Sequence, residues 1–259
     1  MLKVGVIGFT NAFPLFYALQ EKIIPHNFSL TYGSPVEINR KLATGDVDVA
    51  LISSVDFLNN RFSYILLSDL GIATTEEVMS VKLFYKGTNP VLHNSLLYIP
   101  GTSATSVLLL KTLCSSFWKV SPQYQEHSNK PDELFKQNSP FVLIGDSCLS
   151  QSYRTSHSSI DLAQAWNNAT GKSFVFAVIA TRNDAFQRSP EEVIEFHRLL
   201  EQSYRWGQDN KKIIIEKASR KTTCSIPLME KYFSVIEYRL TSKHFHGLDH
   251  FAGLSYGRN

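Results

Sequence analysis

The sequence predicts an α/β chain of two lobes with a ligand cleft between them. Three observations carry this. Short β-branched runs alternate with helical patterns from residue 3 to 52, the order that builds a sheet with crossover helices. The same alternation resumes after residue 96. Two extended stretches, 81–85 and 174–181, can each carry the chain from one lobe to the other. The expected organisation is a discontinuous first lobe, 1–84 and 180–259, with a second lobe, 85–179, inserted into it.

The elements follow in order. Residues 3–8 are a β-branched run ended by Gly8, the mark of a buried first strand. Pro14 suits the first turn of a helix, where its missing N–H costs nothing, and the helix continues to Lys22. Residues 28–32 form a second strand. Ser34, Pro35 and Glu37 have the capping-box spacing, Ile38 and Leu42 lie one turn apart, and Gly45 stops that helix. Residues 47–52 form a third strand that delivers Ser53 and Ser54 to its end. In the middle, 96–99 is a strand, 103–117 a helix and 141–144 a strand ending at Gly145-Asp146. Residues 190–206 form an amphipathic helix, and the rest from Asn210 reads as mostly helical. Ligands in open α/β sheets bind beyond the strand C-termini, which here means Asn11, Ser53, Ser54, residues 102–106 and Asp146.

Composition narrows the class. The chain has 259 residues, 43% of them hydrophobic, and 26 Lys+Arg against 23 Asp+Glu. That is enough apolar material for a core without disulfides or metals. A net charge of +3 with scattered basic residues argues against nucleic acid. Cys114, Cys148 and Cys224 are widely spaced and form no CxxC pair, so neither a disulfide framework nor a thiolate zinc site is expected. No apolar stretch approaches the ~20 residues of a membrane span. Asn11 and Pro14 interrupt the apolar N-terminal run and no small-x-small site follows, so it reads as a mature first strand and not a signal peptide.

Few motifs carry chemistry. Gly171-Lys172-Ser173 imitates the end of a phosphate loop, but Trp166 occupies the place of its first glycine and a strand follows. His244, His246 and His250 cluster near the C-terminus and read as surface residues, with no metal expected. The segment Pro100-Gly101-Thr102-Ser103-Ala104-Thr105-Ser106 is different. It gathers four hydroxyls at a helix start, where free N–H groups and the helix dipole favour an anion such as a carboxylate or phosphate. A plain N-cap by Thr102 or Ser103 is the alternative.

Several blocks together resemble the chorismate dehydratase family of the futalosine route to menaquinone. Asn11-Ala12-Phe13-Pro14-Leu15 resembles the family's N-x-x-P-L opening. The runs 42–50 and 53–58, Val78-Met79-Ser80-Val81, 102–107, 143–146 and 161–178 follow in the family's order along the whole chain. Departures are Ala104 in place of an arginine, Lys172-Ser173 in place of Leu-Pro, and Ile179 in place of a tryptophan.

The resemblance implies a two-lobed type II periplasmic-binding-protein-like fold turned to catalysis in the cytoplasm. It implies loss of water from chorismate to give 3-[(1-carboxyvinyl)oxy]benzoate, with no cofactor, metal, nucleic acid, membrane or obligatory protein partner. Asn11 is expected to contact the reacting ring or its leaving hydroxyl, or else to cap the helix before Pro14. Ser80, Thr102, Ser103, Thr105 and Ser106 are expected to bind carboxylate, and Ser53 and Ser54 to line the cleft. Asp146 is expected to act as an acid or as a turn residue. The blocks hold no histidine or lysine suited to be a base, so a substrate carboxylate is expected to take the proton. The alternatives are a non-catalytic solute-binding protein and the related 1,4-dihydroxy-6-naphthoate synthase, whose Pro-Asn-Asp run and second-lobe histidine find no match here.

Overall fold

The computed structural model describes residues 1–127, 130–151 and 156–257. The chain begins β1 (Lys3–Ile7), α1 (Phe13–Gln20), β2 (Ser29–Gly33), α2 (Pro35–Thr44), β3 (Val49–Ser53), α3 (Ser54–Asn59), β4 (Tyr64–Thr74). It continues β5 (Val81–Tyr85), β6 (Leu96–Pro100), α4 (Ala104–Thr112), β7 (Gln123–His127), α5 (Pro131–Leu134), β8 (Phe141–Ile144), α6 (Gly145–Ser150), β9 (Ser158–Asp161), α7 (Leu162–Thr170). It returns through β10 (Phe174–Arg182), α8 (Asn183–Arg188), α9 (Pro190–Asp209), α10 (Lys211–Thr222), α11 (Ile226–Val235), β11 (Glu237–Arg239) and α12 (Ser242–Tyr256).

Local chemistry accounts for the early elements. Ser34 and Glu37 close a reciprocal capping box on α2, and Gly45 ends it at φ +82°. Gly5 lets α2 lie directly on β1, because a Cβ there would come within 2.9 Å of Ile38. Ser53 caps α3 through the N–H of Asp56, and Ser103 caps α4 through that of Ser106.

Two sheets form among the described residues, in the orders β11-β4-β10-β3-β1-β2 and β7-β6-β8-β5-β9. β1 runs parallel to β2 and β3, as its βαβ pattern requires. β10, arriving from the opposite direction, is antiparallel to both β3 and β4. The second sheet repeats the plan, with β6 parallel to β7 and β8 and β5 antiparallel to β8 and β9. Each sheet is therefore mixed, not purely parallel.

The strand pairing moves the crossings expected at 81–85 and 174–181. β5 pairs only within the second sheet and β10 only within the first. The chain passes between sheets in the short segments 75–80 and 171–173 instead. Both strands read as apolar runs because each is buried inside its own sheet, β10 almost throughout.

The cores follow the sheets. Leu15, Phe16, Leu51, Phe196, Leu200 and Tyr232 pack one face of the first sheet, and Ile38, Leu42, Ile52 and Val178 the other. The second sheet's core holds Leu83, Leu97, Leu109, Leu110, Val142 and Trp166. Phe174 of β10 and Phe251 of α12 also join that core, so the sheets are locked together beneath the crossings. Fully burying each such side chain contributes ~1.5–3 kcal/mol.

Candidate functional site

A small cavity of about 60 Å³ opens between the sheets. Its apolar walls are Ile7, Phe9, Ile72, Val81, Ile144 and Phe176, and its polar lining is Asn11, Ser53, Ser80, Ser103, Thr105 and Ser106. Among the described residues no ionisable side chain lines it.

Asn11 stands in a single 3₁₀ turn, Thr10–Ala12, between β1 and α1. The N-cap of α1 is Ala12 and no side chain bonds the helix end, so the capping alternative for Asn11 does not hold. Its Oδ1 is buried without a hydrogen-bond partner, while its backbone oxygen accepts from the Tyr238 hydroxyl at 3.0 Å. A buried, unpaired acceptor is costly unless something arrives to fill it.

Ser53 Oγ accepts from Asn39 Nδ2 at 2.9 Å and from the Asp56 N–H at 3.2 Å. With both acceptor sites used, its hydrogen is left to donate into the cavity. Ser103 Oγ accepts from the Ser106 N–H at 3.3 Å and donates to Ser106 Oγ at 3.0 Å, which turns the Ser106 hydrogen outward as well. Thr105 Oγ1 accepts from the Val55 N–H at 3.2 Å and so ties α4 to α3 across the cleft. The first-turn N–H groups of Ala104 and Thr105 have no intrahelical acceptor, and they complete an array of neutral donors at this end.

Ser80 lies at the end of the first crossing. Its carbonyl accepts from Gly145 at 2.7 Å, and its Oγ accepts from the Tyr232 hydroxyl at 3.2 Å. The preceding residue, Met79, is buried and left-handed at φ +63°, a conformation costing ~1–3 kcal/mol for such a side chain. Asp161 holds it there. Its carboxylate accepts from Met79 at 2.7 Å and from Val78, Ala163 and Gln164 at 3.0–3.2 Å. Burial raises the Asp161 pKa, and the backbone N–H groups oppose that rise.

The other expected residues lie elsewhere. Ser54 is wholly buried, donates to the Val175 carbonyl at 2.7 Å and does not line the cavity. Thr102 is also outside the lining. Asp146 is neither a cavity acid nor a turn residue alone. It accepts from the Thr10 N–H at 3.0 Å and the Thr10 hydroxyl at 2.7 Å, and it pairs with Lys221 at 3.1 Å. These contacts latch α6 to the first lobe, because the strand end points Asp146 beside the cleft and not into it.

The departures have visible settings. Ala104 is exposed on the first turn of α4, outside the cavity, so an arginine missing there removes no charge from the lining. Ile179 is fully buried in β10. Ser173 Oγ meets Thr75 Oγ1 at 3.3 Å and ties one crossing to the other. His244 caps α12 through Thr241 and sits 3.2 Å from Glu237, while the His250 ring lies 5.8 Å from Trp166.

Tyr232 and Tyr238 escaped sequence reasoning, since they stand 152 residues from Ser80 and 227 residues from Asn11 and no local spacing links them. A tyrosine at 232, within a helical stretch, carries no more signal than an ordinary core position.

Comparison with known proteins agrees with this architecture. A chorismate dehydratase of Thermus thermophilus is 29% identical over 265 residues, covering 96% of this chain and 93% of that protein. Among solved structures, an Archaeoglobus fulgidus protein superposes with a TM-score of 0.80 at 16% identity, covering 99% of this chain and 97% of that one. The periplasmic aliphatic sulphonate binding protein SsuA of Escherichia coli gives a TM-score of 0.70 at 10% identity, over 99% and 91%. The fold is thus that of the periplasmic binding proteins, two α/β lobes about a cleft. The profile of the menaquinone biosynthesis family matches residues 2–257, and with nearly its whole length accounted for the chain belongs to that family.

Proposed function

We propose that this protein is a chorismate dehydratase, a hydro-lyase working in the cytoplasm without a cofactor. The observation that carries the reading is the cavity itself, lined by amide and hydroxyl groups with no ionisable side chain among the described residues. Such a site supplies no acid or base of its own. It suits a reaction whose driving force and base both reside in the substrate.

Chorismate fits that description. The C–H bond at the ether-bearing ring carbon breaks and its electron pair becomes a ring double bond. Hydroxide leaves the neighbouring carbon, and the proton and hydroxide together account for the water lost. The product ring is aromatic, which makes the step strongly downhill. One carboxylate of the bound substrate takes the proton, and the protein holds the reacting atoms in register, an effect that can be worth ~7–11 kcal/mol in favourable cases. Ser103, Thr105, Ser106 and the start of α4 bind a carboxylate. Asn11, Ser80 and Ser53 face the ring and its hydroxyl. Closing the lobes excludes water and strengthens every neutral contact with the dianion.

The deciding experiment is purified protein with chorismate and excess chelator, followed by mass spectrometry. Loss of one water, giving 3-[(1-carboxyvinyl)oxy]benzoate, supports the proposal. Tight binding of chorismate without conversion would instead leave a solute-binding protein of the same fold.

A further inference from the structure

Tyr232 holds Ser80, one of the three polar groups that face the reacting ring. Its side chain is fully buried in the first lobe's core, and its hydroxyl donates to Ser80 Oγ at 3.2 Å. Burial raises the Tyr232 pKa above its ordinary value of 10.0, so the phenol keeps its proton and acts as a standing donor.

Hydrogen counting then fixes the direction of each bond. A phenol has a single hydrogen, and here it goes to Ser80. Ser80 Oγ, already accepting from Tyr232, has its own hydrogen free, and the open side is the cavity it lines.

We infer that Tyr232 is a positioning residue that fixes the polarity of Ser80, making it a donor toward the substrate's ring hydroxyl. This rests on the dehydratase reading for its chemistry. Ser80 donates to the ring hydroxyl oxygen as it departs with the C–O electron pair. Without the phenol, the Ser80 hydroxyl is free to rotate away. The leaving oxygen would then face no fixed donor.

The test has a kinetic and a structural arm. Wild-type conversion of chorismate is measured first and judges the dehydratase reading by itself. Tyr232→Phe, which removes only the phenol oxygen, should lower kcat about tenfold or more with KM within about twofold, since a lost transition-state contact leaves ground-state binding intact. In a Ser80→Ala background the same change should cost much less, because most of the effect passes through Ser80. Equal factors in both backgrounds, or an unchanged kcat in Tyr232→Phe, would overturn the inference. Neutron diffraction on deuterated wild-type protein reads the polarity whatever the activity proves to be. The Tyr232 deuteron is expected on the line to Ser80 Oγ and the Ser80 deuteron in the cavity. A Ser80 deuteron directed at Tyr232 would overturn it equally.

Discussion

The two walls of the cleft are built on opposite plans. On the first-lobe wall, Asn11 is held at its backbone oxygen by Tyr238 and Ser53 at its hydroxyl by Asn39. Each is fixed through one set of hydrogen bonds and presents what is left. The second-lobe wall is the start of α4, where neighbouring hydroxyls and first-turn N–H groups point the same way. One wall offers single groups in fixed orientation, the other a broad field of donors. The difference teaches that orienting a reacting centre and holding an anion ask for different construction. A helix end tolerates the loss of one donor, whereas a lone group does not.

The sharpest way to break this contrast is Asn11→Ala. Turnover should fall by about 10²–10³, as when a single oriented group facing developing charge is removed, while the melting temperature moves little because the side chain caps no helix. Near wild-type turnover would remove the distinction between the walls. Ser106→Ala probes the other wall. Affinity for the benzoate product should weaken about tenfold, the lower end for a hydrogen bond to a charged group, with kcat changed far less than by the loss of Asn11. An unchanged dissociation constant in calorimetry would reduce the α4 start to a cap.

Smaller effects sharpen the picture away from the cavity. Burial lowers the His244 pKa from its ordinary 6.5, with Lys243 adding to this and Glu237 opposing it. As pH falls through 6.5 the unfolded chain therefore binds the proton before the folded one, and stability is lost. Melting temperature should drop between about pH 7 and 5, and drop less in His244→Asn, which can keep the cap on Thr241. Equal slopes in a pH series would assign the loss to other groups. The smallest change is expected from Lys221→Met. Its pair with Asp146 is partly exposed and should contribute under ~1 kcal/mol to stability. A large fall in melting temperature would show the latch to be structural.

The alternation of β1, α1, β2, α2 and β3 was legible because each boundary carries its own local chemistry: Pro14, the Ser34/Glu37 box, Gly45. The donor field at α4 was legible for the same reason, since its hydroxyls are neighbours in sequence. β4, an eleven-residue strand, went unread, because its first half is mostly half-buried without alternation and its last five residues are continuously buried. Asp146 and Ser54 follow strands just as Ser53 does, yet their side chains turn to Thr10 and to the Val175 carbonyl. Which way a side chain leaves a strand end depends on partners far along the chain. Tyr232 shows the limit most clearly, being set against Ser80 from 152 positions away.

The place of β10 has a consequence for biosynthesis. It is the strand that joins β3 to β4, yet residues 75–173, the whole of the second sheet and its helices, are translated after both and before it. At ~5–20 residues per second, β3 must wait on the order of ten seconds for its neighbour to leave the ribosome. The later-begun lobe is contiguous and can fold at once, while the lobe begun first stands with an open strand edge. Such an edge invites pairing with other chains until it is filled. Nascent chains paused before residue 174 should therefore be the species that recruits chaperones, and the cleft closes over its cavity only after the older half of the protein has been finished by the younger.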